Sequence, residues 1–477
     1  MIITREKNGL ASDCAIVVDV GKTLSKVTLW SLGGRLLDRQ VRPNEVLVVG
    51  GLRRLDAEGI GAWLRPALAK YRGQPVTHII PVAHGAGVAV LDGDQLAFTP
   101  LDYEQAVPWD VLDAYRAERD PFSVTGSPAL PDGLNIGSQL AWLDRLYPAA
   151  MQRGMLLPWA QYWAWFLSGA AVSEVTSLAC HSDLWNPDLG GFSSLAQRTG
   201  WAARFAPMAR AQDEVGALRP DLAEATGLPA NVRVLAGLHD SNAALLAARG
   251  FAEFVGKEVT TLSTGTWFIA MRTPANTTHT CDLAQNRDCL VNVDPYGWRV
   301  PSARFMGGRE IESVVEIDTR RVDIKPDQPA LLAAVPRVLE AGAMLLPTLA
   351  PGCGPFPNAS AQWLARPDDW YELRAATCLY AALVADTTLD LIGSEERLLV
   401  EGRFAEAEVF VRAIARLRPD MAVYTANAHN DVSFGALRLL DPRLEPQGGL
   451  TLVEPLDANL ETYRSRWHAE IGIPAWS

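Results

Sequence analysis

Three glycine turns in this chain carry residue types that could act on phosphate. The first is Asp19-Val20-Gly21-Lys22-Thr23, where the apolar run Ala15-Ile16-Val17-Val18 ends in an acid before a glycine, a lysine and a hydroxyl. A hairpin tip of this kind offers a carboxylate, backbone N–H groups and small hydroxyls, a set suited to phosphate oxygens and a hydrated divalent ion. Taken alone, Asp-x-Gly is also an ordinary hairpin turn. The second turn, Gly237-Leu238-His239-Asp240-Ser241, ends a strand on a carboxylate and opens a helix. An alcohol is a poor nucleophile, so a carboxylate within hydrogen-bond reach must accept its proton as the new bond forms. The third, Leu262-Ser263-Thr264-Gly265-Thr266-Trp267, repeats the plan of the first: strand, glycine–hydroxyl tip, strand. Together the three read as a phosphoryl-transfer site.

The elements that must position these turns alternate between strand and helix. Ala15 to Trp30 reads as a hairpin and Arg35 to Val41 as a third antiparallel strand. A helix capped by Asp56 runs to about Tyr71. Thr77 to Ala83 is a buried strand broken at His84-Gly85-Ala86-Gly87. That glycine pair is followed by strand, and no third glycine comes, so it is not a dinucleotide fingerprint. Ile136 to Leu146 and the tryptophan-rich segment from Trp159 to Leu167 read as helices, the second closed by Gly169. A strand at Val232–Ala236 leads to the Asp240 turn. Further on, a long helix ends at Leu391, a strand at Arg397–Val400 opens into Glu401-Gly402-Arg403-Phe404, and a helix spans Asp431 to Leu440. Two similar hairpins more than two hundred residues apart suggest a duplicated core, with domains at 1–248 and 249–477.

At 477 residues the chain exceeds one compact core. Its net charge of −12 argues against a general nucleic-acid binder, though a local nest of amides still binds phosphate. The longest apolar runs are too short for a membrane span. Six cysteines form no C-x-x-C; Cys281 and Cys289 could approach each other, but reduced thiols and a cytoplasmic setting are the expectation. Seven histidines show no H-E-x-x-H spacing, which sets aside a metal hydrolase.

With these residues in order, the chain resembles the FGGY carbohydrate kinases of the actin-like ATPase superfamily, nearest the rhamnulose and fuculose kinases. The resemblance rests on the three turns, on Leu156-Leu157-Pro158 through Leu167-Ser168-Gly169 and Glu174-Val175-Thr176, and on Glu401-Gly402-Arg403-Phe404. It implies an α/β fold of two ribonuclease-H-like domains with a cleft between them, closing around a sugar. The ketose lies on the N-terminal side and ATP mainly on the C-terminal side. Asp240 is then the general base and Asp19 the Mg²⁺ ligand. Gly21, Lys22 and Thr23 face the transferring phosphate, with Thr264, Gly265 and Thr266 on the β/γ side. Gly402 and Arg403 sit at the adenosine, and His84, Gly85 and His239 join Asp240 at the sugar. A homodimer is admitted but not required.

Three departures mark this chain. Glu401 and Arg403 flank Gly402 where the family has consecutive glycines, so Arg403 either stacks on a purine or pairs with Glu401. Lys22 replaces a small or hydroxyl residue, and Thr99-Pro100-Leu101-Asp102-Tyr103 is not the usual sugar-side segment. The altered adenosine loop leaves open an alternative, a sugar- or nucleotide-sensing protein that hydrolyses ATP slowly or not at all.

Overall fold

The computed structural model describes residues 13–275, 282–318, 323–426 and 432–472. They divide into two compact units: Met1–Gly250 with Val293–Trp298 and Asp431–Gln447, and Phe251–Asn292 with Arg299–Asn430 and Gly448–Ser477.

The first unit is built on β1 (Cys14–Val20), β2 (Leu24–Ser31), β3 (Leu36–Pro43), β4 (Val76–Ala83), β5 (Glu214–Ala217), β6 (Arg233–Leu235) and β7 (Leu238–His239). Their order is β5-β6-β4-β1-β2-β3, with β7 also on β4. The strand β1 runs antiparallel to β2 and parallel to β4, which is parallel in turn to β6 and β7. Side chains alternate across a strand, and β1 is buried on both faces. Cys14, Ile16, Val18 and Val20 enter the core formed with α1 (Ala57–Ala69) and α2 (Trp159–Ser168). Ala15 and Val17 enter a different core, formed with α3 (Asp240–Ala248). Asp19 shares the parity of Ala15 and Val17, so it stands on the face of the sheet that carries α3.

The second unit repeats this plan. Its strands are β8 (Val259–Thr264), β9 (Phe268–Thr273), β10 (Cys289–Val293), β11 (Arg299–Phe305), β12 (Arg397–Gly402), β13 (Ala422–Ala426) and β14 (Leu450–Leu452), in the order β10-β11-β9-β8-β12-β13-β14. Here β8 is antiparallel to β9 and parallel to β12, and β12 is parallel to β13. The series β3-β2-β1-β4-β6 therefore matches β11-β9-β8-β12-β13 strand for strand, two ribonuclease-H-like cores in one chain. Among the helices of this unit are α4 (Gly307–Val315), α5 (Trp370–Leu391) and α6 (Glu408–Leu417). The long α5 is buried nearly all round, as expected of a helix at the centre of one core.

Residues 432–447 rejoin the first unit. The helix α7 (Val432–Leu437) packs along α3, burying Phe434, Ala436 and Leu437 with Leu246 and Ala247. Trp30 of β2 donates from Nε1 to Ser433 Oγ at 3.2 Å. An apolar helix face followed by the sheet it covers is a tertiary pairing, invisible to a reading that divides the chain once.

Candidate active site

In the first unit, β1, β4 and β7 run in one direction and end together. Asp19 is paired in register with Val82, and Val82 with Leu238. The residues that follow are Gly21, His84 and Asp240, so three turns converge at the carboxyl ends of parallel strands, where open α/β sheets bind their ligands.

Asp240 is the first residue of α3 and keeps 28% of its side chain exposed. His239, not Asp240, occupies the helix cap. The Asp240 carboxylate instead meets His239 Nε2 at 3.1 Å and accepts from Ser241 Oγ at 3.3 Å. Burial pushes its pKa up, but the hydrogen bond and charge of His239 outweigh that and hold it below the usual carboxylate range. His239 Nε2 also lies 3.6 Å from Cys180 Sγ. Burial disfavours the imidazolium, yet Cys180 and Asp240 raise its pKa well above the ordinary value. Burial likewise opposes the Cys180 thiolate, but His181 and His239 bring its pKa down to about 5. Asp240 is thus an ionised carboxylate at neutral pH.

Asp19 is buried, 3% exposed, with Lys26 Nζ 3.1 Å from Oδ2, the partner its hairpin register sets directly opposite. Burial raises its pKa to about 6, Lys26 works against this, and the charge of Asp240 adds to it. Asp19 and Asp240 influence each other at the strand ends, and Lys26 and His239 are the cations beside them.

The sugar-side residues form a tight group. His84 is buried beside Tyr103, with ring centroids 5.4 Å apart, and beside Trp159 at 6.2 Å. Its Nδ1 lies 2.7 Å from the Gly85 carbonyl, so Nδ1–H donates there and Nε2 is left as an acceptor. Burial lowers the His84 pKa, consistent with the neutral ring. A Cβ on Gly85 would stand 2.7 Å from Cys180 Sγ and 2.9 Å from His239 Nε2, so only glycine leaves room for that pair. Trp142 and Trp163 belong to the core and Trp109 is 70% exposed.

Glu174 supports the base from behind. It is fully buried, and its Oε2 accepts from Thr176 N at 3.0 Å, Thr176 Oγ1 at 2.6 Å and Ser177 N at 3.3 Å. Thr176 Oγ1 in turn accepts from His239 N at 2.9 Å. Burial raises the Glu174 pKa to about 7 in spite of those bonds. A folded-state value above the ordinary one means that the native state holds the proton more tightly. Its stabilisation is then largest below about pH 4.5 and is lost as pH rises toward 7. Glu174→Gln keeps an acceptor for the same donors and should flatten this dependence. The expected result is a smaller fall in urea-unfolding free energy between pH 5 and 8 than in wild type. Glu174→Ala strands buried donors and should cost about 1–3 kcal/mol at any pH.

Two residues expected at the phosphates are used differently. Lys22 turns its ammonium onto Asp102 and over the Tyr103 ring, 4.2 Å from the centroid. Thr264 donates from Oγ1 to the Glu401 carbonyl at 2.5 Å and accepts from Phe404 N at 3.0 Å, so its hydroxyl ties β8 to the turn after β12. Gly402 in that turn is left-handed, with φ +86°. Arg403 donates to Glu312 of α4 at 3.1 Å. Gly21, Thr23, Gly265 and Thr266 stay at least partly exposed at the two hairpin tips.

Sequence reasoning missed Gly307 and Gly308, which begin α4 against the third turn: a Cβ on Gly308 would lie 1.8 Å from the Gly265 carbonyl oxygen. It also missed Cys180. Their signals were a Gly-Gly pair before an amphipathic helix, and a cysteine within the polar segment from Ser173 to Asn186. Cys180, Cys353 and Cys378 are free thiols, and Cys281 lies outside the described residues. Among the described residues no helix is long and apolar enough to cross a membrane.

Residues 256–447 match the family described as carbohydrate kinase FGGY, C-terminal domain. The whole chain is similar to the crystal structure of a carbohydrate kinase from Novosphingobium aromaticivorans: 67% identity over 97% of this chain and 99% of that one, with a TM-score of 0.94. A xylulose kinase from Rhodospirillum rubrum matches at 18% identity and TM-score 0.78, over 96% of this chain and 97% of that one. A gluconate kinase from Lactobacillus acidophilus matches at 13% identity and the same TM-score and coverage. These last two speak for the fold alone. No curated protein sequence matches the chain.

Proposed function

The chain belongs to the FGGY family of carbohydrate kinases, and from that premise we propose that it transfers the γ-phosphoryl group of ATP to a hydroxyl of a ketose of the rhamnulose, fuculose or xylulose kind. The observation that carries this reading is Asp240: an ionised, partly exposed carboxylate at the strand ends, electrostatically coupled to the buried Asp19. A protein that only senses a sugar has no use for such a base. Asp240 accepts the proton of the attacking hydroxyl, and the transferred phosphoryl group leaves ADP behind.

Asp19 fits the Mg²⁺ that such chemistry uses. Among the described residues no three metal-ligating side chains gather, and Mg²⁺ shared with phosphates asks only for one or two carboxylates beside its waters. When bound, the ion neutralises charge on the phosphates. Gly21 and Thr23 offer a backbone amide and a hydroxyl to phosphate oxygens, Gly265 and Thr266 offer the same groups, and Gly402 with Arg403 borders the adenosine. His84, Gly85 and His239 orient the ketose. Free thiols support a cytoplasmic setting.

The test is ADP release with Mg²⁺-ATP across ketoses, aldoses and polyols. Turnover on one ketose well above the others is the expected result. Turnover confined to an aldose or a sugar acid would overturn the substrate class, and none on any acceptor would overturn the kinase reading.

A further inference from the structure

Two departures from the family pattern, Lys22 in the first phosphate turn and Asp102 in the sugar-side segment, are one structural feature. Eighty residues apart in sequence, they form an ion pair, with the Tyr103 ring beneath the ammonium. Both line a small pocket with Gly21, His84 and Trp159, in the same unit as Asp240. Asp102 is 1% exposed. Its Oδ1 accepts from Lys22 Nζ and from Glu104 N at 2.8 Å. Its Oδ2, equally buried, accepts no hydrogen bond among the described residues, and the Arg53 guanidinium stands off at 4.0 Å. A buried carboxylate oxygen without a donor is costly unless a ligand supplies one. The ammonium keeps further N–H groups to offer, since it has three.

We propose that Lys22 and Asp102 together read two adjacent hydroxyls of the acceptor sugar, Lys22 donating to one oxygen and Asp102 Oδ2 accepting from its neighbour. This rests on the sugar-kinase reading above and narrows its substrate class. The cation is already matched by Asp102, with Glu104 3.8 Å away, and Arg53 is matched by Glu104 at 2.8 Å. Neither cation is left without an anion to receive a substrate carboxylate. The acceptor is therefore a neutral polyol-bearing sugar with an intact vicinal diol, and not an aldonate. His84, with Nδ1–H on the Gly85 carbonyl and its pKa lowered by burial, adds no positive charge.

The experiment compares the best ketose from the acceptor panel with its single-deoxy analogues and with the aldonate of equal chain length. Wild type, Lys22→Thr, Asp102→Asn and the double variant are assayed. In wild type, removing either of the two read hydroxyls should lower kcat/KM by about 10–100-fold, the penalty of leaving a buried polar group unpaired. In Lys22→Thr or Asp102→Asn the ketose KM should rise by a similar factor while the ATP KM stays put, and the corresponding deoxy analogue should then lose nothing further. The double variant removes both charges together, and thermal melts report its folding separately from this coupling. An unchanged deoxy penalty in the folded variants would overturn the proposal, as would wild-type phosphorylation of the aldonate as fast as of the ketose. Should wild type phosphorylate no acceptor, the kinase reading fails on its own. Calorimetric binding of the same ketoses then decides the pair: the coupling must appear in Kd, and its absence, or no binding at all, overturns it.

Discussion

Asp240→Asn should lower kcat by about 10²–10⁴-fold, the usual worth of a positioned base, while the ketose still binds. Asparagine has the shape of aspartate and can still accept from Ser241, so the start of α3 need not move. What it cannot do is take the proton of an alcohol. The native carboxylate is held ionised by His239 against the effect of burial, so at neutral pH the loss falls on chemistry and not on a shifted titration. His239 would lose an anion from its surroundings but keep Cys180 at 3.6 Å. Initial rates of ADP release give kcat, and calorimetry gives the ketose Kd. A variant that keeps turnover within tenfold of wild type would remove Asp240 from the role of base.

Gly308→Ala should be nearly as damaging, through a different part of the molecule. The added methyl would fall 1.8 Å from the carbonyl oxygen of Gly265, well inside contact distance, and that neighbour is backbone that cannot swing aside as a side chain can. Either the start of α4 or the Gly265–Thr266 tip must retreat by an ångström or more. A misplacement of about 1 Å can cost about 10²-fold in a reaction that depends on alignment, so kcat/KM for ATP should fall by that order. The Kd for the ketose should not change, because His84, His239 and Asp240 belong to the other compact unit. ATP-dependence of the initial rate and ketose calorimetry separate the two effects. Unaltered ATP kinetics in a folded variant would show that the third turn does not hold the phosphates.

Much of the scaffold was legible because its signals are local. The apolar alternation and glycine break around Asp19 specify a strand and a tip whatever packs on them, and the helix read at Ile136–Leu146 has those bounds. The strand–tip–strand pattern recurs near Thr264 because both copies build the same antiparallel start of a sheet. Parity along β1 even orients Asp19, once it is known which core lies on which face.

The chemistry of several side chains was not legible, because partners chosen across long sequence distances leave no periodic trace. Lys22 reads as a phosphate ligand until Asp102 is found beside it, and Thr264 reads likewise until its hydroxyl is seen bonded to the Glu401 carbonyl. Gly85 looks like a turn residue and proves to be the space that Cys180 and His239 need.

By itself, then, the sequence determined the order of the elements, the doubled sheet start, the family resemblance and the identity of the carboxylates at the strand ends. These follow from side-chain period, turn chemistry and residue type, all short-range properties of the chain. The tertiary structure decided which cation meets which acid, which hydroxyls remain for a ligand, and that residues 432–447 pack with the first unit. Burial and charge pairing act through space, so only the folded chain can settle them.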